Sequence, residues 1–171
     1  LDSDDVWAPT FLAEQIQLLQ RTNVRFVCAG YGYIDMDSRP VKQPFIPPKS
    51  ISFQTELKYC HVGCLTAMYD SAGSGKIYLD EALSGYCDDY ALWLAILHKN
   101  GPGCGNQKVL ASYQIANKNS ITGRKFRLLI PHFKFHYRYC KLGLFRSCYY
   151  TFVWGIGGIR KFFLYNRKTL Q

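Results

Sequence analysis

Leu1-Asp2-Ser3-Asp4-Asp5-Val6-Trp7 is the stretch on which the fold turns. Pro9-Thr10 follows as a helix start, and Phe11, Leu12, Ile16 and Leu19 fall on one helical face. That helix is expected to end near Asn23. Val24, Phe26 and Cys28 then alternate with Arg25 and Val27 as a short strand. Acids at the end of a strand and before a helix lie at the carboxyl edge of a sheet, where open α/β sheets bind their ligands.

Working outward, residues 35–48 carry Pro40, Pro44, Pro47 and Pro48 and read as an irregular loop. Ser50 is expected to cap a short helix reaching about Tyr59. Val62 to Tyr69 reads as a buried strand, and Ser71 to Gly75 as a small-residue turn. Gly73-Ser74-Gly75-Lys76 lacks the first Gly and the closing Ser/Thr of a phosphate loop, which excludes that motif. Asp88-Asp89 precede Tyr90-Ala91-Leu92-Trp93-Leu94-Ala95-Ile96-Leu97, a helix with acids at its positive end. Gly101, Pro102, Gly103 and Gly105 stop it, and Gln107 to Ile115 is a further strand. From Gly123 the pattern is basic and helical, with Pro131 expected to kink it and Gly155, Gly157 and Gly158 to loosen a second helix. Strands and helices alternate without internal repeats, so the class is α/β.

The chain has 171 residues, 48% of them hydrophobic and 19% charged, a globular composition rather than a disordered one. The longest uncharged candidate for a membrane span lies between Arg146 and Arg160 and is shorter than the ~20 apolar residues a span needs. No secretory signal pattern opens the chain, which begins without Met, so the sequence is expected to start inside a longer protein. Seven cysteines, an odd number without regular spacing, read as reduced thiols of a cytoplasmic protein. Cys60, His61 and Cys64 resemble half a zinc site, but no second pair stands at finger spacing. Charge is divided unevenly: residues 1–90 hold all twelve acids against seven Lys/Arg, while residues 91–171 hold fourteen Lys/Arg and no acid. Such a basic segment points to an anionic partner, either a membrane surface or nucleic acid.

The two acid clusters carry the chemistry. Asp2, Asp4 and Asp5 suit a hard divalent cation, Mg²⁺ or Mn²⁺, which commonly shares carboxylates with a substrate's phosphates. Asp88-Asp89 offers a carboxylate at a helix start, where a general base can reach a hydroxyl. Each cluster alone reads better as a helix cap.

Together they carry a resemblance. Leu1-Asp2-Ser3-Asp4-Asp5-Val6-Trp7 with Pro9 and its helix resembles the acidic motif of family 2 glycosyltransferases of the GT-A fold. Gly63-Cys64-Leu65-Thr66-Ala67-Met68-Tyr69-Asp70 resembles the strand that follows in that family. Asp88-Asp89-Tyr90-Ala91-Leu92-Trp93-Leu94 is similar to its acid-Asp-Tyr-x-Leu-Trp-Leu motif. Tyr113-Gln114-Ile115 leading to Asn119-Ser120-Ile121-Thr122 is similar to its Tyr-Arg-x and Ser-x-Ser segment, with Gln114 where Arg is common. The order and spacing agree from residue 1 to about 125.

The resemblance implies the carboxyl-terminal half of a GT-A-like mixed sheet flanked by helices over residues 1–122, then a basic amphipathic helical tail over 123–171. It also implies that roughly 90 residues of nucleotide-binding strands are missing, at ~30 residues per βαβ unit. The implied activity is inverting transfer of a sugar from a nucleotide-sugar donor to a glycan or lipid-linked acceptor. Asp4, helped by Asp2 or Asp5, would hold the metal, and Asp89 would be the base. Asp88, Tyr90 and Trp93 would line the acceptor site, with Cys64 and Thr66 beneath the donor sugar. This reading expects no nucleic acid. The alternatives are a non-enzymatic basic module binding nucleic acid through Tyr137, Tyr139, Tyr149 and Tyr150, or an inactive truncated fragment. In the tail, Phe126, Leu129 and Phe133 stand at helical spacing, as do Phe152, Ile156 and Ile159, with basic residues beside them. Peripheral attachment to the cytoplasmic face of an anionic membrane is the expectation drawn from that pattern.

Overall fold

A computed structural model describes residues 1–83, 86–115 and 128–165, with side chains as far as Arg160. Its elements in chain order are β1 (Val6–Trp7), α1 (Phe11–Thr22), β2 (Phe26–Ile34), β3 (Pro40–Phe45), β4 (Ser50–Ile51), α2 (Phe53–Lys58), a 3₁₀ turn (Cys64–Thr66) and β5 (Met68–Tyr69). There follow α3 (Ser71–Ser74), a second 3₁₀ turn (Glu81–Leu83), α4 (Asp88–Asn100) and β6 (Gly103–Gln114). The chain then forms α5 (Leu129–Lys134), a π-helical turn (Phe135–Tyr139) and α6 (Leu144–Tyr165).

The sheet is mixed and six-stranded, with the path β1-β6-β2-β3; β4 also pairs with β6, and β5 with β2. Among the described residues only the central pair, β2 and β6, runs parallel. β2 is covered on both faces, which is why Phe26-Val27-Cys28-Ala29 is apolar without a gap. Phe26 and Cys28 pack with Ile51, Val62, Trp93, Ile96 and Leu97 under α4. Ala29 packs with Phe11 and Leu110 under α1 on the other side. The architecture is the expected α/β one, a mixed sheet flanked by helices and consistent with a GT-A-like domain.

Several local expectations are corrected. The prolines of 35–48 do not make an irregular loop. Asp35 accepts from the amides of Asp37 and Arg39 and turns the chain into β3, antiparallel to β2. β3 is an edge strand, where a missing amide costs no ladder bond. The short helix starts two residues later than expected, because Ser50 pairs in β4 while Ser52 and Thr55 form a reciprocal capping box. Val62 to Tyr69 is not one strand. Thr66 donates both its amide and its hydroxyl to the Gly63 carbonyl and winds the chain into 3₁₀ form, leaving Met68–Tyr69 as the paired strand. On α1 the buried residues are Phe11, Gln15 and Leu18, while Leu12 and Ile16 are exposed. The Gln15 amide turns inward to donate to the Thr66 carbonyl at 3.0 Å.

Pro131 lies in the first turn of α5, where its absent N–H is not needed. Gly155, Gly157 and Gly158 leave α6 continuous. A Cβ at Gly157 would run into the Tyr59 ring, so glycine there lets α6 seat closely on the end of α2. The expectations for Asn119, Ser120, Ile121, Thr122 and Phe126 lie outside the described residues.

Candidate active site

The first acid cluster does not end a strand; it precedes β1. β1 runs antiparallel to β6, pairing Val6 with Ser112 and Trp7 with Ala111. The start of β1 therefore lies beside the carboxyl end of β6, so the acids reach the expected sheet edge by another route. Asp5 fixes them there: it is buried, and its carboxylate accepts from the Gln114 amide at 3.1 Å. Asp2 and Asp4 are exposed. One carboxylate oxygen from each of Asp2, Asp4 and Asp5 lies within 4.8 Å of the others, and among the described residues no other His/Cys/Asp/Glu trio converges in this way. The half zinc motif is not such a group; His61 Nδ1 instead faces Glu56 Oε2 at 3.2 Å.

Electrostatics follow from the crowding. Burial pushes the Asp5 carboxyl up, the Gln114 amide opposes this, and repulsion from Asp4 and Asp2 adds to the rise. The Tyr113 phenol is raised by burial and then by Asp5, Asp4 and Asp2, so it stands close to the same three charges. A divalent cation would relieve this repulsion, and three carboxylate oxygens are the hard donors that Mg²⁺ or Mn²⁺ takes.

Asp88 and Asp89 form the first turn of α4, entered through Cys87 in the left-handed conformation (φ 62°). Asp89 Oδ1 accepts from the Tyr90 amide at 2.7 Å, and Asp88 Oδ1 from the Asp89 amide at 3.0 Å. Burial is the main cause raising the Asp89 carboxyl, with Asp88 and Glu56 adding repulsion.

Cys64 joins the two clusters. It is an exposed residue of the 3₁₀ turn, and partial enclosure of its sulfur raises the thiol first. The charges of Asp89, Asp2 and Asp88 raise it further. Such effects act over short distances, so acids of both clusters stand near enough to Cys64 to act on its thiol. Two bonds make the junction. Trp7 Nε1 donates to the Leu65 carbonyl at 2.6 Å, tying β1 to the turn. Glu56, fully buried, accepts from the amides of His61 and Val62 and holds the approach to that turn.

The remaining sequence-derived positions are interior. Tyr90 is 3% exposed and donates its hydroxyl to the Glu56 carbonyl; Trp93 is 6% exposed beneath β2. Thr66 is fully buried with its hydroxyl spent on Gly63. These three side chains are packed inside the protein rather than displayed at its surface. Glu56 escaped the sequence reading, because a lone Glu in a six-residue helix looks solvated. The one available signal was its place one turn before Cys60-His61.

The chain is 35% identical over 133 residues to WfaP of Escherichia coli, a UDP-Glc:alpha-D-GlcNAc-diphosphoundecaprenol beta-1,3-glucosyltransferase. The alignment covers 76% of this chain and 49% of that one. The chain is homologous to glycosyltransferases. It is also 32% identical over 127 residues to TuaG of Bacillus subtilis (strain 168), a glycosyltransferase assigned to teichuronic acid biosynthesis, covering 74% of this chain and 49% of that one. WfgD of Escherichia coli, also a UDP-Glc:alpha-D-GlcNAc-diphosphoundecaprenol beta-1,3-glucosyltransferase, is 31% identical over 129 residues, covering 75% of this chain and 49% of that one. No family model matches. The chain spans about half the length of these curated relatives.

Proposed function

We propose that this chain supplies the metal-binding and acceptor-activating part of an inverting, family 2 glycosyltransferase. The reaction moves a sugar from a nucleotide-sugar donor to a hydroxyl of a lipid-linked glycan. The observation that carries the reading is the convergence of Asp2, Asp4 and Asp5 at the carboxyl end of β6, with the charges of Asp2 and Asp89 both acting on Cys64 in support. One cluster suits a metal and a diphosphate; the other suits a proton acceptor.

Asp2, Asp4 and Asp5 would hold Mg²⁺ or Mn²⁺, with Asp5 anchored to Gln114 so that the cluster keeps its place at the sheet edge. When bound, the cation supplies charge stabilisation for a departing nucleoside diphosphate. Asp89 takes the proton of the acceptor hydroxyl, and its burial keeps the carboxylate more basic than a solvated one. Asp88 helps maintain that basicity by repulsion. Contacts to the donor's base and ribose belong, on this reading, to the part of the relatives' length outside the match.

The test separates the two clusters. Mn²⁺ binding, followed by electron paramagnetic resonance on the 171-residue chain, is expected to be lost in Asp4→Asn and kept in Asp89→Asn. In protein extended to the relatives' full length, UDP release from UDP-glucose with a polyprenyl-diphosphate-linked GlcNAc acceptor is expected to fail in both variants. Mn²⁺ binding that is indifferent to Asp4→Asn, or transfer that is indifferent to Asp89→Asn, overturns the assignment.

A further inference from the structure

The faces of α6 are inverted for a helix in water. A surface helix normally buries its apolar stripe and shows water its polar side. Toward the rest of the protein α6 presents Ser147, fully buried, and Thr151, 8% exposed, whose hydroxyl meets His136 Nδ1 at 3.1 Å. Trp154 on the same side stacks on His132, their rings 3.8 Å apart. Outward stand Phe145 (87% exposed), Tyr149 (51%), Phe152 (68%), Ile156 (40%) and Ile159 (46%). At 3.6 residues per turn these five positions fall within an arc of about 80°, opposite Ser147 and Trp154. The stripe runs along most of a helix about 33 Å long at 1.5 Å per residue.

Its rim is basic. Arg146 and Arg160 each follow a stripe residue by one position, which sets both on the same flank, and both are exposed. Lys134, Arg138 and Lys141 are exposed on the segment leading into α6, and the sequence holds no Asp or Glu after Asp89. No helix among the described residues is long and apolar enough to cross a membrane.

We propose that α6 lies in the interface of an anionic bilayer, with the Phe145–Tyr149–Phe152–Ile156–Ile159 stripe facing the acyl boundary and Arg146 and Arg160 reaching lipid phosphates. A helix of this kind binds through buried apolar area plus attraction to anionic headgroups. Charge decides the occupant. A second copy of this chain, net +9, brings no acid on this face to meet the arginines. Nucleic acid would pair with the basic rim and stack on the three aromatics, but it would leave Ile156 and Ile159 facing water, whereas a bilayer covers all five. The seat of α6 keeps the helix flush with the protein, since Gly157 rests against the Tyr59 ring. The proposal does not depend on the glycosyl-transfer reading, because neither acid cluster takes part in it.

The experiment is flotation of the 171-residue chain with phosphatidylcholine vesicles, with and without phosphatidylglycerol, at low and high salt. Binding is expected only with phosphatidylglycerol and is expected to fall as salt rises. The double substitution Phe145→Ser, Phe152→Ser should cut the bound fraction at least ~10-fold, since each aromatic contributes apolar area to the interface. Its circular dichroism and Tm should match wild type, because both side chains are already exposed. Arg146→Gln with Arg160→Gln should weaken binding and flatten its salt dependence. Equal flotation of wild type and the serine variant overturns the proposal. So does no flotation on either vesicle, and so does a wild-type dimer that the serine variant turns into a monomer without lipid being involved.

Discussion

The Trp7 indole nitrogen donates to the Leu65 carbonyl at 2.6 Å while its ring stacks on Phe11, centroids 4.2 Å apart. One side chain thus binds the acid-bearing segment to the turn that carries Cys64, and so toward Asp89. Trp7→Phe keeps an aromatic ring for the stack and removes the donor. The expected cost is about 1 kcal/mol of stability, the usual worth of such a bond. Mn²⁺ affinity should fall with it, because Asp2, Asp4 and Asp5 lose one restraint. Urea unfolding and a Mn²⁺ titration check the pair of effects; unchanged values in both show that the bond does not hold the acid-bearing segment to the turn.

Asp89 acts as a base only when ionised, and burial holds its carboxyl above the ordinary aspartate value. In protein that carries out transfer, the acid limb of the pH–rate profile should sit above 3.8, the ordinary aspartate value. Asp88→Asn removes a like charge and should shift that limb to lower pH. Asp89→Asn should lower turnover ~10²–10⁴-fold with the limb abolished. A limb that stays in place in Asp88→Asn argues against the coupling of the two acids.

How much of this could be read from the chain depends on how local each cause is. α4 was legible because Asp88-Asp89 and the apolar run to Leu97 state a charged start and a buried body within one segment. That acids of both clusters act on Cys64 could be read only through motif order, since no local pattern relates these segments. The face of α1 was misread because Gln15 turns inward toward a carbonyl at Thr66, a partner distant in sequence. β3 was missed because prolines mark loops until an edge strand tolerates them. The α6 stripe was half legible: Phe152, Ile156 and Ile159 show the period, but only the burial of Ser147 and Thr151 reveals which side faces out.

Glu56 offers a direct stability test. Its carboxylate, with no exposure, accepts from the His61 amide at 3.0 Å and the Val62 amide at 3.2 Å, and faces His61 Nδ1. Glu56→Gln places an NH₂ where an oxygen accepted and should cost about 1–3 kcal/mol. Glu56→Ala leaves the amides unpaired and should cost about 3–5 kcal/mol, the range for breaking a buried charged network. Denaturant titration reads both, and equal stability of Gln and Ala variants means that the bonds contribute nothing beyond volume.

The last prediction concerns pH and the seat of the tail. His132 is 2% exposed, stacked between Tyr90 and Trp154 and edge-on to His136, with Cys87 Sγ 3.9 Å from its Nδ1. Among the described residues the Nε2 atoms of both histidines lack a hydrogen-bond partner. Burial therefore favours the neutral rings: His132 is pushed down to about 3, with His136 adding to the shift, and His136 to about 4. The unfolded chain titrates near 6.5, so below that pH it binds protons that the folded state refuses. The stability carried by the neutral rings is complete above pH 6.5 and is lost as pH falls toward the folded values. At pH 5 the loss for His132 is roughly 2 kcal/mol. Asp5 and Asp89 act in the opposite sense, since raised carboxyls gain stability on protonation. A comparison of variants isolates the histidine effect. His132→Phe keeps the stack on Trp154 and cannot titrate. Its Tm should fall less than that of wild type between pH 7.5 and 5, while tryptophan fluorescence reports whether Trp154 stays packed. Parallel Tm curves for the two proteins would refute a titrating role for His132.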